Sequence, residues 1–282
     1  MTRVHDALRE AAERLTPSVG EAHLLEARIL VETALGQSRV WLYQHPEAPL
    51  EADQLRRLCH LIERRQAGEP LAYILGTREF YGRSFLVDPR VLVPRQDTET
   101  LLERALASAR CHPARVVDVG TGSGILGISL ALELPWARVV LIDRSADALA
   151  VAKENVRRHA VDARLSLVQG DLLTGLDGPA DLIVANLPYV PSGEIDRLQP
   201  EVRREPRVAL DGGPDGLDLY RRLLAQAPSV LGPRGALFAE IGDGQGAAAN
   251  GLARARFPEY DVRIHPDLEG RDRVLAVTPH CE

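Results

Sequence analysis

The stretch VVDVGTGSGILG, residues 116–127, decides how the chain folds. Val116, Val117 and Val119 read as a buried strand, and Gly120, Gly122 and Gly124 as a tight turn delivering that strand into a helix. Glycine accepts backbone angles closed to other residues and lets main chain approach a ligand closely. The first turn of the following helix offers unpaired N–H groups. Gly122, Gly124 and Gly127 also satisfy the G-x-G-x-x-G fingerprint of dinucleotide-binding folds. Asp143 closes the next apolar run, where a carboxylate accepts the two ribose hydroxyls of a bound nucleoside. Up to this point a nicotinamide cofactor and another nucleoside fit equally.

Outward from this turn the pattern alternates strand and helix. Strands are expected at 115–119, 138–142, 164–168, 181–185, 235–240, 261–265 and 272–278, and helices at 97–109, 124–133, 146–158, 217–230 and 244–256. The early strands are continuous apolar runs, as required when helices cover both faces of a parallel sheet. The expectation is an α/β, doubly wound, mostly parallel seven-stranded sheet.

The first third reads differently. Val4, Leu8, Ala11, Ala12 and Leu15 recur at helical spacing, with the helix expected to stop at TPSVG (16–20). A second helix covers 21–36, with Gly36 as its C-cap, and a third covers 51–68. Phe80, Phe85, Val87, Val91 and Val93 suggest short strands, turned by Gly82 and Asp88-Pro89. The domains are therefore drawn as a helical bundle (1–75), a β-hairpin linker (76–95) and an α/β domain (96–282).

A net charge of −6 argues against a protein that grips a nucleic-acid backbone. Cys59, Cys111 and Cys281 form no CxxC pair and the histidines show no ligand spacing, so neither a disulfide framework nor a metal site is expected. The charged amphipathic N-terminus is not a signal peptide and no apolar run reaches membrane-spanning length, which points to the cytoplasm.

Two details move the cofactor toward S-adenosyl-L-methionine. Asp118, two residues before Gly120, completes the D-x-G-x-G-x-G run of class I methyltransferases. Gly170-Asp171, just after the third strand, is placed to reach an adenine amino group.

The stretch LIVANLPYVP, residues 182–191, then supplies chemistry. An apolar strand runs into Asn186 at the carboxyl edge of the sheet, where ligands of α/β folds sit. Leu187 precedes a proline and is pushed to extended geometry, and Pro188 fixes the approach to Tyr189. The Asn186 side-chain oxygen and the Leu187 carbonyl form a pair of acceptors suited to a planar –NH₂ group, either a carboxamide or an exocyclic amine.

NLPY resembles the N-P-P-Y motif of amino-methyltransferases. The segments at 64–99, 205–220 (EPRVALDGGPDGLDLY), 239–246 (AEIGDGQG) and 267–274 (DLEGRDRV) are similar to those of the peptide chain release factor glutamine N5-methyltransferases, the PrmC/HemK family. The resemblance implies a class I S-adenosylmethionine-dependent methyltransferase fold. It also implies S-adenosyl-L-methionine as donor, S-adenosyl-L-homocysteine as product, and the glutamine of the Gly-Gly-Gln loop of class I release factors as acceptor. Asn186, Leu187, Pro188 and Tyr189 are then the catalytic turn, with Tyr189 walling the slot. Asp118, Gly120, Thr121, Gly122, Ser123, Gly124, Asp143, Asp171, Leu172 and Asn186 are the cofactor site, with no metal. The helical domain, through Arg56, Arg57, Arg64 and Arg65, becomes a docking surface, and neither membrane nor direct nucleic-acid binding is expected. Leu187 and Gln96 stand where the family usually has proline; Gln96 bears on Thr98 and Glu99, which the family places near the cleft. Three rivals remain: a ribosomal-protein glutamine methyltransferase, an N6-adenine methyltransferase and a dehydrogenase-like nucleotide binder.

Overall fold

The computed structural model describes residues 2–109 and 113–280. The chain forms two units: Met1–Gly76 with Gln199–Arg204, and Thr77–Leu198 with Glu205–Glu282.

In the first unit, α1 (Val4–Val19) buries Val4, Ala7, Ala11 and Leu15 along one stripe. It runs through Pro17, where the sequence predicts a stop, and ends at Gly20 with φ 58°. Proline forfeits one i→i−4 bond, and in the last turn that loss falls where the helix is already ending. Next come α2 (His23–Leu35), closed by Gly36 in the left-handed conformation, and α3 (Arg39–Gln44), capped by the Ser38 hydroxyl. The Glu51–Gln54 capping box opens α4 (Ala52–Gln66). The short α5 (Leu71–Leu75) has no counterpart in the sequence reading, because five residues are too few to display a period. Leu30 and Val31 from α2 and Leu58 and Ile62 from α4 share a core with α1.

Position 65 follows 58 and 62 on the same helical stripe, and Arg65 is accordingly buried. Its guanidinium meets Glu26 at 2.6 Å and Glu201 at 2.7 Å. Arg64 is tied to Glu69 at 2.5 Å. Neither is the free docking cation expected above; Arg56, paired with Asp53, and Arg57 are exposed.

The second unit opens with a hairpin, β1 (Thr77–Phe80) against β2 (Arg83–Leu86). Its two turn residues, Tyr81 and Gly82, both have positive φ, as a right-twisted two-residue hairpin requires. Val87, Val91 and Val93 are buried but lie outside any strand, because Asp88-Pro89 turns the chain first. After α6 (Thr98–Ser108) come β3 (Arg115–Val119), α7 (Ile125–Glu133), β4 (Arg138–Asp143), α8 (Ala146–Arg158), β5 (Leu165–Gln169) and β6 (Ala180–Ala185). They are followed by α9 (Asp218–Gln226), β7 (Leu231–Glu240), α10 (Gly246–Arg256), β8 (Tyr260–Pro266) and β9 (Asp272–Pro279). The helix expected to reach residue 230 tightens to a 3₁₀ turn at Ala227–Ser229, where Pro228 has no N–H to continue it.

The seven strands lie in the order β5-β4-β3-β6-β7-β9-β8. All pairs up to β6–β7 are parallel, and β9 is antiparallel to both β7 and β8. Val116 joins a core with α6, α7 and α8, whereas Val117 and Val119 join one with α9 and α10. Two covered faces are why the strand reads as unbroken valine. The chain's direction across the sheet reverses between β3 and β6, where Val119 pairs with Ala185. That register sets the glycine turn and the Asn186 turn side by side. Among the described residues no helix is long and apolar enough to cross a membrane. Cys59 is a free thiol; Cys111 and Cys281 lie outside the described residues.

Candidate active site

Asp118 is 1% exposed, and its Oδ2 accepts from the Thr121 hydroxyl (2.6 Å) and the Gly127 N–H (2.9 Å). It caps α7 from inside the strand. Burial pushes its carboxyl up to about 6, against the donors that favour the charged form. Its Oδ1 is buried with no hydrogen-bond partner among the described residues. A side chain at Gly127 would come within 2.1 Å of Leu141, so glycine is what lets α7 lie this close to the sheet.

The turn spends its own donors. The Gly120 and Thr121 N–H groups bond the Ile142 carbonyl, and that of Gly124 bonds the Thr121 carbonyl. The Gly122 N–H bonds Asp143 Oδ2 (2.9 Å) while Asp143 Oδ1 accepts from the Ser145 N–H (2.9 Å). Of the first-turn N–H groups anticipated from the sequence, that of Gly127 is taken by Asp118. Burial raises the Asp143 carboxyl above its ordinary value, with the two N–H donors opposing. Asn155 on α8, which the sequence reading passed over, ties the Ser123 carbonyl (2.8 Å) to the end of the hairpin at Leu86.

On the neighbouring strand end, Asn186 donates both amide hydrogens inward, to Thr98 Oγ1 (3.0 Å) and to Glu240 Oε2 (3.0 Å). Oδ1 is the polar atom it has left to offer. The Leu187 carbonyl lies 3.0 Å from the Tyr220 hydroxyl, which also contacts the Glu240 carbonyl. The hydroxyl has one hydrogen for the two carbonyls, so at least one lone pair of the Leu187 carbonyl remains. The Leu187 side chain is buried against Gly120, where a Cβ would sit 2.9 Å from its Cδ2. The Tyr189 hydroxyl bonds Glu240 Oε1 (3.3 Å) and its carbonyl accepts from Gln245 (2.9 Å), and both bonds brace the turn.

The cavity, about 960 Å³ including its open mouth, is lined by Gly120, Gly122, Ser123, Asp143, Asp171, Leu172, Asn186, Leu187 and Pro188. Asp118, Thr121, Gly124 and Tyr189 are not among its lining residues. Pro94, Arg95, Thr98 and Leu219 also line it, and of these only Thr98 entered the sequence reading. Asp171 is exposed and salt-bridged to Arg222 (2.5 Å), leaving its other oxygen available. Leu172 is held at φ 55°, a conformation non-glycine residues rarely adopt. Gln96 is exposed and its carbonyl accepts from the Glu99 N–H, so the absence of proline there leaves the start of α6 intact. Glu99 points elsewhere and accepts from the Tyr81 N–H at the hairpin turn (2.8 Å).

The family-like segments now have positions. In 205–220, a Cβ on Gly212 would lie 2.6 Å from the Pro188 carbonyl oxygen and one on Gly216 2.1 Å from that of Tyr189. These glycines let the segment press against the turn's backbone. Glu205 accepts from the Val93 N–H (3.0 Å) and from Arg95 (2.5 Å). In 267–274, Arg273 is 6% exposed, joins Asp267 (3.2 Å) and Asp97 (3.3 Å), and favours the charge on Glu240.

Comparison with known proteins agrees with this geometry. A family model described as the PrmC N-terminal domain matches residues 6–76, and one described as the methyltransferase small domain matches 96–200. A release factor glutamine methyltransferase of Geobacter sulfurreducens is 46% identical over 255 residues, covering 89% of this chain and 88% of that one. One from Moorella thermoacetica is 45% identical over 272 residues, 96% of each. A solved ribosomal protein L11 methylase from Lactobacillus delbrueckii subsp. bulgaricus is 25% identical with a TM-score of 0.50, covering 69% of this chain and 84% of that one. The sheet order, the glycine turn beside the asparagine turn and these full-length likenesses together establish that the chain has the class I methyltransferase fold, is a methyltransferase, and belongs to the release factor glutamine methyltransferase family.

Proposed function

We propose that this cytoplasmic enzyme transfers a methyl group from S-adenosyl-L-methionine to the side-chain nitrogen, N5, of the glutamine in the Gly-Gly-Gln loop of class I release factors. The observation that carries the reading is the Asn186 amide: both its hydrogens are taken by Thr98 and Glu240, which leaves Oδ1 as its free acceptor, and Asn186 and Leu187 both line the cavity. Two acceptors match the two hydrogens of a primary carboxamide.

The lining fits the proposed donor. Asp143 would take the ribose hydroxyls on lone pairs its own N–H partners leave free, and Asp171 with Leu172 would border the adenine. Asp118, with a buried and unpartnered oxygen behind the loop, favours a cationic neighbour over a phosphate. When bound, S-adenosylmethionine supplies a methyl group already activated on a sulfonium.

The chain's own contribution is positional. An amide nitrogen is a poor nucleophile because its lone pair is delocalised into the carbonyl. Asn186 Oδ1 and the Leu187 carbonyl would hold the –NH₂ in line with the methyl group, and their negative ends would stabilise charge as the N–C bond forms. The methylated, protonated amide is acidic enough to lose its proton to water, so no side chain is assigned as base. Exposed Arg56 and Arg57 are what remain of the proposed docking surface.

The test is labelled S-adenosylmethionine offered separately to purified class I release factors, ribosomal protein and DNA, followed by mass mapping. Label is expected on the Gly-Gly-Gln glutamine. Label on ribosomal protein or DNA, with none on release factor, would overturn the reading.

A further inference from the structure

The Asn186 amide has two nearly isosteric orientations differing by a half-turn, and only one presents an oxygen to a substrate –NH₂. The opposite orientation sets donor against donor. Main-chain geometry does not choose between them, so the choice belongs to the groups behind the amide.

We infer that Glu240 and Thr98 are positioning residues that hold the Asn186 amide with Oδ1 toward the substrate. Glu240 ends β7, is 0% exposed, and places Oε2 3.0 Å from Asn186 Nδ2. An ionised carboxylate only accepts; in the reversed orientation its oxygen would face Asn186 Oδ1, two negative ends at contact. Thr98 at the start of α6 lies 3.0 Å from the same Nδ2 and hydrogen-bonds the Glu240 carboxylate as well. With its hydrogen directed to Glu240, its oxygen is left to accept from Asn186. With Glu240 ionised, the triangle is self-consistent in one orientation only. Glu240 further accepts from Tyr189; burial raises its carboxyl above the ordinary value, with Thr98, Arg273 and Tyr189 opposing that rise and Asp97 adding to it. A carboxylate behind the amide also polarises it, making Oδ1 a stronger acceptor as positive charge develops on the substrate nitrogen.

The inference rests on the amide-methylation reading, so its test has a readout that does not need turnover. In the full-length protein, the Asn186 side-chain amide protons, identified by their loss in Asn186→Asp, are followed by NMR hydrogen exchange. They are expected to exchange at least tenfold slower in wild type than in Glu240→Gln or Thr98→Val, with Thr98→Ser matching wild type. In methyl transfer, Glu240→Gln is expected to lower kcat by about 100-fold, the scale seen for a lost preorganised group, with S-adenosylmethionine affinity unchanged by calorimetry. Thr98→Ser is expected to retain turnover, and near-isosteric Thr98→Val, checked by thermal unfolding, covers the case in which Glu240→Gln does not fold. Equal exchange rates in wild type and Thr98→Val, or Thr98→Val turnover within threefold of wild type, would overturn the inference. If wild type methylates no release factor, the substrate reading fails, while the exchange comparison still decides the part played by Glu240 and Thr98.

Discussion

The glycine turn after β3 and the asparagine turn after β6 sit at adjacent strand ends, yet they are built in opposite ways. The first is held largely by residues close in sequence. Asp118 reaches Thr121 three residues on and Gly127 nine residues on, and Asp143 reaches Gly122 from 21 residues away. The second is held from afar: Asn186 leans on Thr98, 88 residues distant, and on Glu240, 54 distant, while Leu187 meets Tyr220, 33 distant. A locally tied loop keeps its shape whatever the rest of the unit does, as a binding platform should. A remotely tied turn keeps its shape only when α6, β7 and α9 are all in place, so its acceptors are aimed by the whole unit.

The sharpest way to break the comparison is to separate aim from binding. Asn186→Ala is expected to lower kcat by about 100-fold or more, with cofactor affinity close to wild type by calorimetry; near-normal turnover would remove Asn186 from the mechanism. Asp143→Ala should do the converse. Loss of even one hydrogen bond to a charged group, worth about 1.5–3 kcal/mol, predicts cofactor binding weakened by at least about ten- to a hundredfold and little change in kcat at saturation. An unchanged dissociation constant would refute its ribose role.

Gly127→Ala tests the packing beneath the glycine turn. A methyl group 2.1 Å from the buried Leu141 side chain makes either that side chain or α7 shift, at a cost of about 1–3 kcal/mol in denaturant unfolding. Loss of stability is expected without the selective kcat defect of Asn186→Ala.

The smallest effect is electrostatic. The Asp118 carboxyl is raised from 3.8 to about 6 by burial, so the folded state binds its proton more tightly than the unfolded chain does. Its stabilising contribution is complete below about pH 3.8 and is lost as pH rises through about 6. Between pH 5 and 7 the loss is about 1 kcal/mol. Relative to Asp118→Asn, the wild-type melting temperature should therefore fall across that window; parallel profiles would show that Asp118 is not a buried acid.

How legible each region was follows from how it is held. Asp118, the glycines and Asp143 could be read because the residues that explain them lie within one strand-turn-helix-strand stretch. Asn186 could be picked out from the prolines beside it, but Glu240, Tyr220 and Arg273 looked like a strand end, a helix residue and a strand charge. Only family resemblance drew the eye to their segments, and it gave no geometry. The hydrogen bond of Tyr189 was illegible for the same reason: its hydroxyl answers to Glu240, not to its neighbours. Arg65 is the instructive exception, since its spacing from Leu58 and Ile62 already put it on the buried stripe.

By itself the amino-acid sequence determined the alternation of strand and helix, the glycine turn with its acid cap, and the rigid polar turn at 186–189. Each is a matter of periodicity, of glycine's conformational freedom or of proline's restriction, and all of these act over a few residues. Tertiary structure alone decided that β3 and β6 are neighbours, that the N–H groups of Gly120, Thr121, Gly122 and Gly124 are spent internally, and which atom of the Asn186 amide is left free. Those outcomes depend on hydrogen-bond partners far apart along the chain, and such partners exist only once the sheet has formed.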